Sequence, residues 1–322
     1  MRIRKLSLLM LVLVALLSLT SGVLVTHAQK QLTIGFVQTG SESGWRTDFT
    51  NAMMSEAKAQ NINLLFADGQ QKQENQIAAM RSFIAQGVDA IILAPLVETG
   101  WDDVLKEAKD ASIPVLIIDR NVTSDPSLFI TRVASDFVYE GRLAAAWLAS
   151  ATADRTECNI VELQGTVGSS PAIDRGTGFK DVLALFPQMK IVASQSGDFT
   201  RSGGKTVMES FLSSIDPKTI CAVFAHNDDM LIGAVQAMEE AGLKPGKDIL
   251  TVSVDATNDE LKLMLDGKAN ATVLLNPNMG VQAYQAIKDY LDGKELPKLI
   301  LVPSAMFFPD TAAAELKARG VS

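Results

Sequence analysis

The sequence predicts an α/β fold built as two similar doubly wound parallel-sheet lobes. From residue 32 onward, short β-branched runs alternate with longer amphipathic ones, the pattern of strands alternating with helices around a mainly parallel sheet. Ten such short runs divide naturally into two sheets. The halves also echo each other: Met80-Arg81-Ser82-Phe83-Ile84 precedes one strand, and Met208-Glu209-Ser210-Phe211-Leu212 precedes another at a comparable place in the second half.

Strands of the first half are expected at 32–38, 63–67, 90–93, 115–118 and 129–133, and those of the second at 159–163, 191–194, 222–225, 250–254 and 271–274. A typical intervening helix is expected over 75–86, where Ile77, Met80, Phe83 and Ile84 fall at helical spacing and Gly87 follows as a left-handed stop. Its apolar face should lie on the sheet.

With 322 residues and 47% apolar content the chain can bury two sizeable cores, which excludes a disordered protein. Residues 1–28 stand apart. Arg2, Arg4 and Lys5 precede the apolar run 6–17, and small and polar residues then reach Thr26-His27-Ala28, the layout of a secretory signal peptide. The run is short for a membrane span, and no later stretch reaches the roughly 18 apolar residues a spanning helix needs. No Cys lies near the cleavage region, so a lipid-modified N-terminus is not available. An exported protein is expected, periplasmic where the cell has an outer membrane. Without that segment, 26 basic residues face 37 acidic ones, a net charge of −11. That balance opposes nucleic acid and anionic lipid as partners.

In open parallel sheets, ligands bind outside the carboxyl ends of the strands, where loops converge and helix N-termini present free N–H groups. In the first half those positions read from Thr39 to Arg46, from Asp68 to Gln71, Ala94-Pro95 and Asp119-Arg120; in the second, from Gln164 to Gly168, from Ser196 to Asp198, from His226 to Asp228, and Asp255. Carboxylates, guanidinium groups and amides dominate, and catalytic nucleophiles are scarce. Such a set suits a polyhydroxylated ligand, because each hydroxyl both donates and accepts, so Asp can take a proton from one while Arg or Asn gives to its neighbour. Trp45, between polar neighbours in a Gly/Ser loop, is expected as a half-exposed flat face for the C–H side of a sugar ring.

Other residues read as structural. Trp101 and Trp147 suit packing roles. His226 is the one His left after residue 28, and with Asp228 and Asp229 it forms no cluster at metal spacing, so neither a metal site nor a cofactor is expected. Asp68 is expected to cap a helix, with Gln70 and Gln71 left open. Gly165 and Gly168 match neither phosphate-loop spacing. On the residues alone, Asp119-Arg120 reads equally well as a surface ion pair.

Several stretches carry a family resemblance: Ile117-Ile118-Asp119-Arg120, the segment from Arg175 to Phe179, the segment from Ala225 to Met230, and Ser253-Val254-Asp255. Through them the chain resembles, over nearly all of 29–322, the periplasmic sugar-binding proteins of ABC importers related to the ribose-binding protein, the type I periplasmic binding proteins. The segments Gly40 to Arg46, Asp68 to Gln76 and Ser194 to Arg201 are most similar to the galactofuranose-binding subgroup. The resemblance implies that Asp119 and Arg120 contact ring hydroxyls from the first lobe, and Arg175, Asn227 and Asp255 from the second, with Glu42, Ser43, Gly44, Trp45 and Arg46 completing the first wall. Ala94 stands where ribose binders carry Asn, Leu275 where they carry Gln, and Arg46 replaces a second aromatic, departures that speak against ribose.

The same resemblance implies a multi-strand hinge, with 29–133 plus about 276–303 in one lobe and 134–275 plus about 304–322 in the other. It further implies a monomer that closes over a monosaccharide and is recognised by the membrane permease of an ABC importer, with a chemoreceptor as a further possible partner. Cys158 and Cys221 open the first and third strands of the second half. In a 2-1-3-4-5 sheet these are parallel neighbours about 4.8 Å apart, within reach of a disulfide. An enzyme would need a carboxylate pair drawn from Glu42, Asp119 and Asp255, and no paired-acid motif supports one. A transcriptional regulator would need an N-terminal helix-turn-helix, where the signal-like segment stands instead. The expectation is a binding protein, not an enzyme.

Overall fold

In a computed structural model, the structure describes residues 31–321. The expected signal peptide lies outside the described residues. The first sheet takes β1 (Thr33–Gln38), β2 (Asn63–Asp68), β3 (Ala90–Leu93), β4 (Val115–Ile118) and β5 (Thr131–Ala134), interleaved with α1 (Gly44–Ala59), α2 (Gln73–Gln86) and α3 (Asp102–Asp110). The second takes β6 (Cys158–Gln164), β7 (Met189–Ser196), β8 (Ile220–Ala225), β9 (Leu250–Asp255) and β10 (Ala271–Leu274), with α4 (Phe137–Ala151), α5 (Ser170–Leu183), α6 (Arg201–Ser214), α7 (Asp228–Glu240) and α8 (Asn258–Leu265). Then follow α9 (Gly280–Leu291), β11 (Leu299–Leu301), β12 (Met306–Phe307) and α10 (Pro309–Ala318).

All ten expected strands form. Strand order is β11-β5-β4-β3-β1-β2 in one sheet and β12-β10-β9-β8-β6-β7 in the other. Each is thus the doubly wound 2-1-3-4-5 order with one added edge strand. Every pairing is parallel except β10 with β12. Those two added strands went unforeseen, since runs of three and two residues are too short to show periodicity. They matter for topology: the chain passes between the sheets after β5, after β10 and between β11 and β12.

Successive strand residues point to opposite faces, and the cores follow that rule. Ile91, Leu93 and Ile117 pack with Met80, Phe83 and Trp101, whereas Ile92 and Ile118 join Phe49 and Met53 of α1 and Tyr284 and Ile287 of α9. In the second sheet Val161, Leu163 and Val223 pack with Met208, Phe211 and Met230, and Ile160, Phe224 and Val254 join Phe179 and Leu148 on the other face. Helix α2 ends where expected, at Gly87 with φ 66°. Asp68 does not cap it: Lys72 holds that position, and Asp68 accepts from Gln70 N within its own turn.

Helices α4 and α5 meet backbone to backbone. A Cβ at Gly141 would lie 2.1 Å from the Arg175 carbonyl oxygen, and one at Gly178 only 1.9 Å from that of Val138. These glycines set the height at which α5 presents Arg175. Gly178→Ala is therefore expected to lower stability by about 1–3 kcal/mol through overpacking, exceeding the roughly 1 kcal/mol that alanine gains in helix propensity. Urea unfolding of the variant checks this; a more stable variant would mean the helices separate freely.

The cysteines pair as expected. Cys158 and Cys221 form a disulfide with Cα atoms 5.0 Å apart, and both are buried.

Candidate ligand-binding site

The carboxyl ends of both sheets face one small cavity, walled by Glu42, Ser43, Trp45, Arg46, Asp119, Arg120, Pro171, Arg175, Phe199, Asn227, Asp255 and Leu275. Nine of the ten residues expected at the site surround it.

The first wall grows from the turn after β1. Ser43 caps α1 by accepting from Arg46 N at 3.1 Å, which places Trp45 and Arg46 in the first turn. Arg46 Nη1 donates to Asp119 Oδ2 at 2.7 Å and its Nε to Glu42 Oε1 at 3.2 Å. Arg120 Nη2 reaches the same Glu42 oxygen at 3.2 Å, and its Nη1 donates to the Leu96 carbonyl at 2.9 Å. Burial alone would raise the Glu42 carboxyl, but the two guanidinium groups hold it below its usual value. Burial, with Arg46 nearby, lowers Arg120 to about 10.

Trp45 departs from expectation. It lies in a helix rather than a loop and is only 4% exposed. Its ring stacks on Phe49 with centroids 5.2 Å apart, and its indole N–H donates to the Leu275 carbonyl at 2.6 Å. The Arg46 guanidinium covers it at 4.8 Å from the ring centroid. The side chain is thus fixed within the wall instead of standing free as a platform.

In the second wall, Arg175 Nε donates to Glu140 Oε2 at 3.0 Å and Nη1 to the His226 carbonyl at 2.6 Å. Its Nη2 lies 3.0 Å from Glu140 Oε2 without hydrogen-bond geometry and 3.9 Å from Asp255 Oδ1. Glu140 is fully buried and also accepts from Ser304 Oγ at 3.1 Å. Burial pushes its carboxyl up to about 7 even beside Arg175. Burial likewise raises Asp255 well above the usual carboxylate range, only partly offset by Arg175. Asn227 caps α7 through Met230 N and donates from Nδ2 to the Phe199 carbonyl at 3.1 Å, which leaves one amide hydrogen for a ligand.

Asp119 and Asp255, one in each wall, hold φ values of 60° and 122°. Side chains with a Cβ adopt such conformations at a cost of about 1–3 kcal/mol, a strain that concentrates at ligand sites.

Phe199 escaped the sequence reading, although it sits in the segment from Ser194 to Arg201 that carried the subgroup resemblance. Its ring lies 5.3 Å from the Arg120 guanidinium of the opposite lobe. A Cβ at Gly165 would stand 1.9 Å from the Phe199 ring, so that glycine makes room for the aromatic. Gly44 is the one expected site residue outside the wall: its N–H donates to Asp229 Oδ2 at 2.7 Å. His226 is fully buried, with Nε2 3.1 Å from Glu162 Oε1. Burial would raise Glu162, yet His226 and the Ser194 hydroxyl bring it down to about 2. Among the described residues no group of three His, Cys, Asp or Glu side chains is arranged to hold a metal.

Buried polar atoms are almost always hydrogen-bonded. Glu42 Oε2, Arg120 Nε and Arg175 Nη2 are not, though all three are buried. They are one acceptor and two donors, on cavity-wall residues of both lobes.

Comparison with known proteins agrees with this geometry. Residues 34–295 match the family model described as a periplasmic binding protein domain. The galactofuranose-binding protein YtfQ of Escherichia coli K12 is 57% identical over 289 residues, covering 89% of this chain and 91% of its own. The periplasmic binding component of an arabinose ABC transporter from Shewanella sp. ANA-3, solved with α- and β-L-arabinofuranose, superimposes with a TM-score of 0.87 at 59% identity, covering 89% and 95% of the two chains. A Mycobacterium smegmatis structure in complex with β-D-fucofuranose gives a TM-score of 0.87 at 49% identity, covering 90% and 95%.

Proposed function

Because the chain belongs to the periplasmic binding protein family, we propose that it captures a neutral monosaccharide in its furanose form, galactofuranose first, and delivers it to the membrane permease of an ABC importer. The observation that carries this reading is that Glu42, Arg120 and Arg175, which line one cavity between the walls, each hold a buried polar atom without a hydrogen bond. A sugar hydroxyl donates once and accepts twice, so one ligand can satisfy all three. Arg46, Arg120 and Arg175 are offset by Glu42, Asp119, Glu140 and Asp255. Cations of the wall that already pair with carboxylates favour a neutral sugar over an anionic one. The named ligands of the three relatives share a five-membered ring.

We assign one lobe to 29–133 plus about 276–303 and the other to 134–275 plus about 304–322. Membership of β11 in the first sheet and β12 in the second supports that division. The protein acts as a periplasmic monomer that opens to admit sugar and closes by hinge motion on the three passages between sheets.

The test is thermal unfolding of the protein lacking residues 1–28, stripped of ligand by denaturation and refolding, with galactose, arabinose, ribose, glucose, xylose or inositol. Ligand at about 100 times its Kd adds roughly 2.7 kcal/mol, a midpoint shift of several degrees. Galactose and arabinose, whose solutions hold a furanose fraction, are expected to raise the midpoint. A shift with glucose or xylose alone would overturn the furanose reading.

A further inference from the structure

Away from the strand crossovers, two hydrogen bonds join the lobes through second-lobe side chains that do not line the cavity. Gly44 N, at the start of α1, donates to Asp229 Oδ2 of α7 at 2.7 Å. Asn121 N, next to Arg120, donates to Ser170 Oγ, at the start of α5, at 2.8 Å. In both, a first-lobe backbone N–H adjoining a residue of the cavity wall is caught by the second lobe.

The Asp229 contact is built for that purpose. The first N–H groups of a helix lack partners within it, and its N-terminus favours negative charge. Ser43 satisfies Arg46 N, and the opposite lobe supplies an acceptor for Gly44 N. Arg201 holds the other carboxylate oxygen, Oδ1, from Nε at 3.1 Å and Nη2 at 3.0 Å. Asp259 braces Arg201 in turn at 3.1 Å. Oδ2 is left aimed at α1.

We propose that Asp229 and Ser170 are positioning residues forming a ligand-independent clasp, which stabilises the closed state and scales affinity for every sugar by one common factor. The proposal rests on the reading of two lobes that close over a sugar. A contact made only in the closed form shifts the open–closed equilibrium by its own free energy, whatever fills the cavity.

The test uses Asp229→Ala, Ser170→Ala and the double variant, with galactose and arabinose as probes. Asp229→Ala is expected to weaken binding roughly 10- to 100-fold and Ser170→Ala roughly 2- to 10-fold, the ranges for charged and neutral hydrogen bonds. Each factor should be the same for both sugars and appear in the dissociation rate. Asp229→Asn, which keeps an acceptor without the charge, should fall between. An unchanged Kd, or factors that differ between the sugars, overturns the clasp. The two readings fail separately: no binding of either sugar by the parent protein overturns the ligand reading, whereas binding by the parent with an unchanged Kd in Asp229→Ala overturns the clasp alone.

Discussion

Arg175→Ala is expected to weaken sugar binding by about 2–5 kcal/mol, the range for truncating one member of a buried, hydrogen-bonded charge pair in a binding surface, or roughly 30- to several thousand-fold in Kd. Arg175 is 2% exposed and makes three kinds of contact at once: Glu140 behind it, the His226 carbonyl beside it, and Asp255 at 3.9 Å across the cavity wall. Its Nη2 has no hydrogen-bond acceptor of its own. Removing the side chain deletes that donor and the cation facing Asp255 together. The fold should tolerate the loss, because burial already pushes Glu140 up to about 7. Without Arg175 that carboxyl takes up a proton at neutral pH instead of remaining a buried charge. Arg175→Lys should recover little, since an ammonium cannot span Glu140 and the His226 carbonyl as the planar fork does. Calorimetric titration with galactose and arabinose measures the loss, and small-angle scattering should show that sugar no longer compacts the variant. Affinity within threefold of the parent would remove Arg175 from the site.

How legible these features were in the sequence depends on how local their signals are. Ten strands declared themselves because apolar runs of four to eight residues bounded by turns leave a trace, while Leu299–Leu301 and Met306–Phe307 are too short to leave one. Arg46, Asp119, Arg120, Arg175 and Asp255 were found because each follows a strand or lies in a recognisable segment, and the topology brings those strand ends to one cavity. The environment of Trp45 was misread because its neighbours in sequence are polar, while its neighbours in space are Phe49, the Arg46 guanidinium and the Leu275 carbonyl, the last 230 residues away. Glu140 carried no signal, and Asp229 lay in the segment from Ala225 to Met230 without a role of its own. One is an interior helix carboxylate and the other a second acid after a helix cap, and their importance lies in partners 35 and 185 residues distant.

Replacing both cysteines by alanine is expected to cost about 4 kcal/mol of stability while leaving sugar affinity within about twofold. The bridge spans a sequence separation of 63 residues. In the chain-entropy account, a cross-link stabilises by restricting the unfolded chain, and a loop of this length falls between the roughly 3 kcal/mol of a 15-residue loop and the 4.7 of a 100-residue one. For a protein of this size the midpoint should fall by on the order of 10 °C. Affinity is insulated by position. Cys158 opens the seven-residue strand β6, and Gln164 closes it, so at about 3.3 Å per residue the bridge lies roughly 20 Å from the cavity end of the sheet. Both sulfur atoms sit in the core with Phe224 and Leu148, and alanine, being apolar, adds no buried hydroxyl that would need a partner. Urea unfolding of the double variant, and of the parent with and without reductant, measures the effect. A loss below about 1 kcal/mol would mean that the unfolded chain is compact enough for the cross-link to restrict little. A tenfold change in affinity would mean that the bridge end of the sheet is coupled to the site through β6 and β8.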